Sequence, residues 1–367
     1  MKFALLALAL TAQPVAETLS GDAPEFPITV PSEMCRGYFF VPVTLLPNET
    51  SEEARTLWFI YDTGASTTYV DPDSVARISS TRVEPGQRAR FPEMSMGPLR
   101  VTSMRARVLD LDHLSLALGR EVDGILAFDA FDDYLLTLDY ARDEMRIEPG
   151  ELPRPDRQTV FNASGPDDRP WLQIQFSNRT RRMLIDSGAA LSGFSVNNIN
   201  RFETTSDPVA SGASFRLNHI ERRSSARLSE DVRLGPHQLV TPTVQSTPGT
   251  ELIGGEIMQH FIWTFDQRRE RVRVERINPD TPITFEPVVS HGLVFQPEPN
   301  GFRVADVLPN TPAAQVDIRE GDLVTHFHGA PVGERGCNPP EEDFLPLIIE
   351  RDGAVIERVL DMFAIVD

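Results

Sequence analysis

Leu57-Trp58-Phe59-Ile60-Tyr61-Asp62-Thr63-Gly64-Ala65-Ser66 and Met183-Leu184-Ile185-Asp186-Ser187-Gly188-Ala189-Ala190 say nearly the same thing. Each is an apolar run suited to a buried strand, and each ends abruptly in Asp, a hydroxyl residue, Gly and Ala. The carboxylate is thereby placed at a strand end. Asp-Ser/Thr-Gly by itself is a common turn after a buried strand, so the weight falls on what surrounds the two copies.

The surroundings repeat as well. About 65 residues after each Asp, a measure with the period of an internal repeat, stands an apolar pair followed by a small residue: Ile125-Leu126-Ala127, then Leu252-Ile253-Gly254. Each leads into a matching hairpin, Leu136 to Ile147 and Trp263 to Val274. Ahead of the first Asp come a strand from Tyr38 to Val43, a polar turn from Pro47 to Glu53 and the strand Leu57 to Tyr61. The second copy repeats the plan with strand Trp171 to Phe176, turn Ser177 to Thr180 and the strand into Asp186. Glu148 to Asp156 reads as a linker from its Pro and Gly content, and Asn278 to Pro282 ends the second copy. One structural unit therefore occurs twice, over 35–149 and 150–280.

Asp-Thr/Ser-Gly-Ala at a strand end, followed by an apolar-apolar-Gly element, resembles the aspartic peptidases. The short lobes resemble the retropepsin-like branch of the pepsin/retropepsin clan, with both lobes in one chain, over roughly residues 35 to 278. The resemblance implies a mainly β fold of two pseudo-symmetric acid-protease lobes of closed β-barrel type, with Asp62 and Asp186 catalytic and polypeptides as substrates. It also implies that Thr63 and Ser187 cross-link the lobes through hydroxyl hydrogen bonds, and that a hairpin of each lobe folds over the substrate. Those hairpins would come from residues 81–109 and from Ser211 to Arg227. Ala127 departs from the pattern, putting a methyl where the family has Gly and a close backbone approach.

Two carboxylates about 3 Å apart cannot both ionise and share one proton. One then acts as general base on a water held between them while the other donates a hydrogen bond to the substrate carbonyl. Gly64 and Gly188 let backbone donors approach the carboxylates. At the fourth position many such enzymes have Ser or Thr, which donates to the carboxylate and lowers its pKa. Here Ala65 and Ala189 lack that donor, which predicts a pH optimum moved from strongly acidic toward mildly acidic or neutral.

Further on, Gly292-Leu293-Val294-Phe295 is followed by Gly301 to Ala314, then Gly321-Asp322-Leu323-Val324 and Gly329. This succession resembles a bacterial PDZ domain, an α+β fold, over 286–367. Thr311-Pro312-Ala313-Ala314 matches the start of its short helix and Gly321-Asp322 the turn into the next strand. Val316-Asp317-Ile318 stands where the family has Ala-Gly-Leu. The resemblance implies that backbone N–H groups near Leu293, Val294 and Phe295, beside Gly292, receive the C-terminal carboxylate of a peptide ligand. The peptide would add a strand beside Glu342 to Glu350, expected to be a helix.

The chain has 367 residues, enough for two or three domains, and a formal net charge of −19. That charge argues against nucleic acid and against an anionic membrane surface as partners. Lys2 is the only lysine, so arginine carries nearly all positive charge, spread along the whole sequence. Met1-Lys2 and the apolar Phe3 to Leu10 read as a secretory signal peptide over 1–16, followed by a mobile lead-in over 17–34. No apolar run is long enough for a transmembrane anchor. An exported protein, periplasmic or secreted, is expected. Cys35 and Cys337 are the only cysteines, and such a compartment permits them to pair. Asn48, Asn162 and Asn178 begin Asn-x-Ser/Thr triplets, which matter only in a host that glycosylates. His326-x-His328 has no third ligand at metal spacing, and no cofactor or metal is expected. Two readings compete with an aspartic endopeptidase. One is a non-catalytic peptide-binding protein retaining the fold. The other is a two-carboxylate glycosidase, whose chemistry separates the carboxyls by about 5 Å or more and gives no reason for the duplication.

Overall fold

The structure, a computed structural model, describes residues 16–18, 25–45, 55–78, 82–177, 179–215, 220–337 and 343–367. The expected leader, apart from Ala16, the polar turn Pro47 to Glu53 and the triplet starts Asn48 and Asn178 lie outside these residues. The described chain is mainly β.

In the first lobe, Arg55–Asp62 buries Leu57, Phe59 and Tyr61 on one face and Ile60 on the other. It pairs antiparallel with Tyr38–Leu45 and parallel with Gly124–Ala127, which sets Ala127 beside Asp62. Tyr69–Val70 and Leu99–Val108 continue the sheet, and Arg88–Met96 pairs with both Leu99–Val108 and Tyr38–Leu45. The ring is thus closed. The hairpin expected to reach over a substrate from residues 81–109 is instead a wall of this barrel. Met94, Met96, Leu99 and Val101 are buried in the lobe's core, and its turn at Gly97, with φ +59°, packs on Pro31. Nor is the lead-in mobile where it is described. Ile28–Val30 pairs with Glu144–Glu148 and Glu33–Cys35 with Tyr38–Leu45, because Ile28, Val30 and Cys35 supply buried apolar positions that the Pro-rich composition obscures.

The second lobe repeats the central arrangement. Arg179–Ile185 lies between antiparallel Trp171–Phe176 and parallel Leu252–Ile253. Its nine-stranded sheet closes in the same way. Ile220–Arg227 runs on into Val232–Leu234, which pairs with Trp171–Phe176. On the returning side His237–Leu239 pairs with Val232–Leu234, and Thr243–Ser246 with Ile220–Arg227 and Phe194–Val196. Val209–Phe215 is an extra strand outside this ring, so the closed barrel expected of both lobes is met in both. The hairpin Val209–Phe215 with Ile220–Arg227 falls where Ser211 to Arg227 was expected to supply one, and it lies against the C-terminal domain. Ile283 is fully buried and pairs with Leu239, so this lobe continues past residue 280.

A third sheet joins the lobes. Leu135–Asp139 pairs antiparallel with Phe261–Asp266, and the register sets Thr137 opposite Thr264, whose buried hydroxyls lie 2.9 Å apart. The two matching hairpins of the repeat therefore meet at its pseudo-twofold axis. Trp263, Phe265, Leu136 and Leu138 fill the layer beneath.

The C-terminal domain has a sheet of Leu293–Glu298, Gly301–Val307, Leu323–Phe327, Phe344–Arg351 and Ala354–Asp361 around Phe302, Val304, Val324, Leu347 and Ile349. The short helical turn Pro312–Gln315 and the turn at Gly321-Asp322 fall where expected. The expected helix over Glu342 to Glu350 is a strand from Phe344. Its alternate apolar side chains Leu347 and Ile349 enter the core, it pairs on both sides, and Pro346 is unfit for a helix interior. Cys35 and Cys337 form a disulfide, tying this domain to the first lobe.

Candidate active site

The two Asp strands end side by side. The Thr63 amide donates to Ser187 Oγ at 3.0 Å and the Ser187 amide to Thr63 Oγ1 at 2.9 Å. Each hydroxyl in turn donates to a carbonyl of the other lobe, Thr63 Oγ1 to Ile185 at 2.7 Å and Ser187 Oγ to Tyr61 at 3.0 Å. Both residues are buried, so these four reciprocal bonds act away from water, where leaving any of them unmade is costly. They fix the strand ends relative to one another and hence the carboxylates.

The side chains of Asp62 and Asp186 share a hydrogen bond, and the amides of Gly64, Ala65 and Gly188 also donate to Asp62. Gly64 N lies 2.7 Å from Asp62 Oδ1. The absence of a Cβ is required at both glycines. A methyl on Gly64 would collide with the Asp186 carboxylate, and one on Gly188 with that of Asp62. Burial pushes the Asp62 carboxyl above the ordinary carboxylate range, against the lowering effect of the donors around it. An acid with that environment next to a second carboxylate retains a proton that an isolated Asp would have lost.

The elements expected to close each lobe flank the dyad. Asp62 pairs with Ala127 and Ile185 with Ile253. Gly254 has no room for a side chain, since a Cβ there would collide with the carbonyls of Ser192 and Ala189. Ala127 is accommodated among Phe40, Ile60, Ala65 and Ile125, and its amide bonds to the Thr68 hydroxyl where Gly254 bonds to the Gly193 carbonyl. Ala65 is buried in the same apolar group, while Ala189 is half-buried.

Sequence reasoning missed Arg169. Its Nη1 crosses the lobes to donate to the Gly64 carbonyl at 2.7 Å, while Asp167 holds Nε at 3.0 Å and Nη2 at 2.6 Å. The only signal for it was the charged run Asp167-Asp168-Arg169 just ahead of a strand. Tyr140 was missed too. Burial raises its phenol well above the usual range, and the charge of nearby Asp186 adds to this.

The four residues expected to receive a peptide carboxylate are engaged internally. The amide of Gly292 donates to Ser290 Oγ at 3.0 Å and that of Leu293 to His291 Nδ1 at 3.1 Å. Burial lowers the His291 pKa to about 4, which keeps the imidazole an acceptor. Leu293 and Val294 are buried, and Phe295 stacks on Phe302. With residues 344–351 forming a strand, the groove lacks its expected helical wall. Helix α1 of the first lobe's later part, Asp112–Leu118, and strand Val209–Phe215 of the second lobe lie against Leu293–Glu298 instead.

His326 lies within the strand Leu323–Phe327, and His328 follows its end in a turn with φ +48°. Asp71, Asp110 and Asp112 bring carboxylate oxygens within 4.8 Å of one another, but both oxygens of Asp71 accept backbone N–H groups of Asp73, Ser74 and Leu111, which accounts for its place. Among the described residues no helix is long and apolar enough to cross a membrane. No protein-family model matches the chain, and a search of the curated proteins finds no match either.

Proposed function

We propose that the chain is an aspartic-type endopeptidase, exported from the cell, that hydrolyses peptide bonds with a water activated by Asp62 and Asp186. The observation that carries this reading is the hydrogen-bonded carboxylate pair held by reciprocal Thr63 and Ser187 contacts. A pair that shares a proton supplies a base and an acid at once. The ionised carboxyl removes a proton from the bound water as it attacks the scissile carbonyl, and the protonated one donates to the developing oxyanion. Collapse of the tetrahedral species expels the amine, which takes up a proton from the pair. No covalent intermediate is needed. Gly64 and Gly188 keep the carboxylates within reach of backbone donors, and Arg169 positions the Gly64 turn without touching substrate.

The carboxyls' contact also separates this reading from glycoside hydrolysis, which needs room for a sugar between them. The test is cleavage of a diverse peptide library from about pH 3 to 8, a span bracketing the ordinary carboxylate range. Asp62→Asn and Asp186→Asn should each lower the rate by about 10³-fold or more, as expected for loss of half of an acid–base pair. Library peptides bound but never cut would favour the non-catalytic reading instead.

A further inference from the structure

Where the first lobe, the second lobe and the C-terminal domain meet, two arginines lie close together without a carboxylate. Arg36 occupies the two-residue turn between Glu33–Cys35 and Tyr38–Leu45, with φ +52°, a conformation uncommon for a side-chain-bearing residue. Its Nε and Nη2 are enclosed and have no hydrogen-bond partner. Burial lowers the Arg335 pKa to about 10, and Arg36 is close enough for its charge to add to this. The bonds of Arg335 all go to backbone carbonyls, Nε to Val332 at 2.9 Å and Nη2 to Leu116 at 3.0 Å and Ala117 at 2.6 Å. The rest of its guanidinium lies over Phe302 and Phe327. The nearby Glu33 is engaged by Arg120 at 2.8 Å.

A desolvated cation without a counter-charge costs free energy, and an incoming anion recovers it. The place is not remote from the dyad. Gly37 lies so close to the Ala190 side chain that a methyl on it would stand 3.2 Å from Ala190 Cβ, and Ala190 closes the turn begun by Asp186. Arg169, at the other lobe's strand entry, has the Asp167 carboxylate as its partner, whereas Arg36 has only Tyr38 as an electrostatic neighbour that favours its charge, and no carboxylate among the described residues.

We infer that Arg36, backed by Arg335, forms a carboxylate-recognising subsite beside the dyad, so that the enzyme prefers polypeptides bearing an anionic group on that side of the scissile bond. The inference rests on the endopeptidase reading for its ligand, because the anions a polypeptide offers are Asp and Glu side chains and its terminal carboxylate. In a chain of net charge −19, acidic peptides are otherwise repelled, and a local pair of arginines is what reverses the sign. Arg36 supplies planar donors suited to a carboxylate.

The test compares peptides that differ only in one Glu or Gln, scanned along a fixed sequence, each as free acid and as C-terminal amide. Binding to the Asp62→Asn protein by fluorescence anisotropy gives a Glu-to-Gln affinity ratio that does not depend on turnover, so failure of the peptidase reading and failure of this one are separable. At the best position the ratio should be about tenfold or more and should fall near one in Arg36→Gln, with partial recovery in Arg36→Lys. Taking a ratio within each variant removes any effect of misfolded protein. A ratio near one in the parent, or one that survives Arg36→Gln, overturns the inference. A preference that vanishes on amidation assigns the anion to the chain terminus, and one that persists assigns it to a side chain.

Discussion

The two lobes carry the same Asp-hydroxyl-Gly-Ala turn on differently finished frames. In the first, Arg88–Met96 closes the sheet into a ring, and the long connection before Gly124–Ala127 carries the helix Asp112–Leu118. In the second Val232–Leu234 closes the ring on Trp171–Phe176, and the additional strand Val209–Phe215 makes a hairpin with Ile220–Arg227 that extends beyond it. That helix and that hairpin both meet the C-terminal domain, which therefore bears on both lobes. What the duplication preserves is the part nearest the dyad, where a shift of one side chain would break the reciprocal Thr63 and Ser187 bonds. The parts that vary are those whose freedom the dyad does not limit, and they are where the third domain is anchored.

The anchoring itself is unequal. The first lobe is joined covalently through Cys35–Cys337 and by Arg335 on the end of the helix. The second is joined by the Arg222–Asp306 ion pair and by Arg227, which reaches the carbonyls of Phe285, Glu286 and the terminal Asp367. Exposed ion pairs contribute little, so the disulfide should dominate. Cys337→Ser, or reduction, is expected to lower stability by roughly 2–5 kcal/mol. Hydrogen exchange should then rise first in Asp112–Leu118 and Val332–Glu334, with the Ile220–Arg227 strand less affected. Equal loosening of both sides would show that the inequality read from the contacts has no energetic weight.

A smaller effect separates the lobe-closing elements. At Gly254 an added methyl meets backbone carbonyls, which cannot move aside cheaply, whereas Ala127 already has a pocket for one. Gly254→Ala should cost about 1–3 kcal/mol through overpacking, and Ala127→Gly about 0.5–1 kcal/mol through backbone entropy. Denaturant midpoints of the two variants measure the difference, and a smaller cost for Gly254→Ala would reverse the assignment of which lobe is tightly closed.

That divergence at residue 127 was visible in the sequence, and so were the dyad, the hydroxyl pair and the hairpins that meet at Thr137 and Thr264. All of these are local: a few adjacent residues dictate the strand, its end and its turn, and the repeat says which copies belong together. What the sequence did not disclose depends on partners distant along the chain. Glu342 to Glu350 was expected to be helical because neither its neighbours nor its composition reveals that Leu323–Phe327 and Ala354–Asp361 pair with the strand Phe344–Arg351 on its two sides. The carboxylate-receiving role expected of Gly292 to Phe295 could not register the occupation of the Gly292 and Leu293 amides by Ser290 and His291, or the first lobe's helix against their strand. Arg169 and Arg36 look alike in sequence, each two residues ahead of a strand, and only the folded chain shows that one is paired and the other is not.

The smallest expected effect concerns whether the two aspartates are electrostatically equivalent. Burial raises Asp62 above its ordinary value, so ionising it costs more in the folded protein than in the unfolded chain. Its contribution therefore favours the fold at low pH and is lost as pH rises through the ordinary carboxylate value toward the raised one. Activity follows the same sign. In the proposed mechanism the pair works with one proton, and the rate should fall on the alkaline side as that proton is lost. A hydroxyl donating to the charged form acts in the opposite direction, so Ala65→Ser and Ala189→Ser should move the alkaline limb of the rate profile to lower pH, by about 0.5–1 unit. Ala65 sits in an apolar group and Ala189 is half-buried. The serine at 189 can therefore reorient at little cost, while the one at 65 is pressed either to bond Asp62 or to remain unsatisfied. A larger shift from Ala65→Ser than from Ala189→Ser is the expected outcome in pH–rate profiles of the single variants. Equal shifts would mean that the proton belongs to the pair without regard to lobe, and no shift in either would remove the fourth position from the control of acidity.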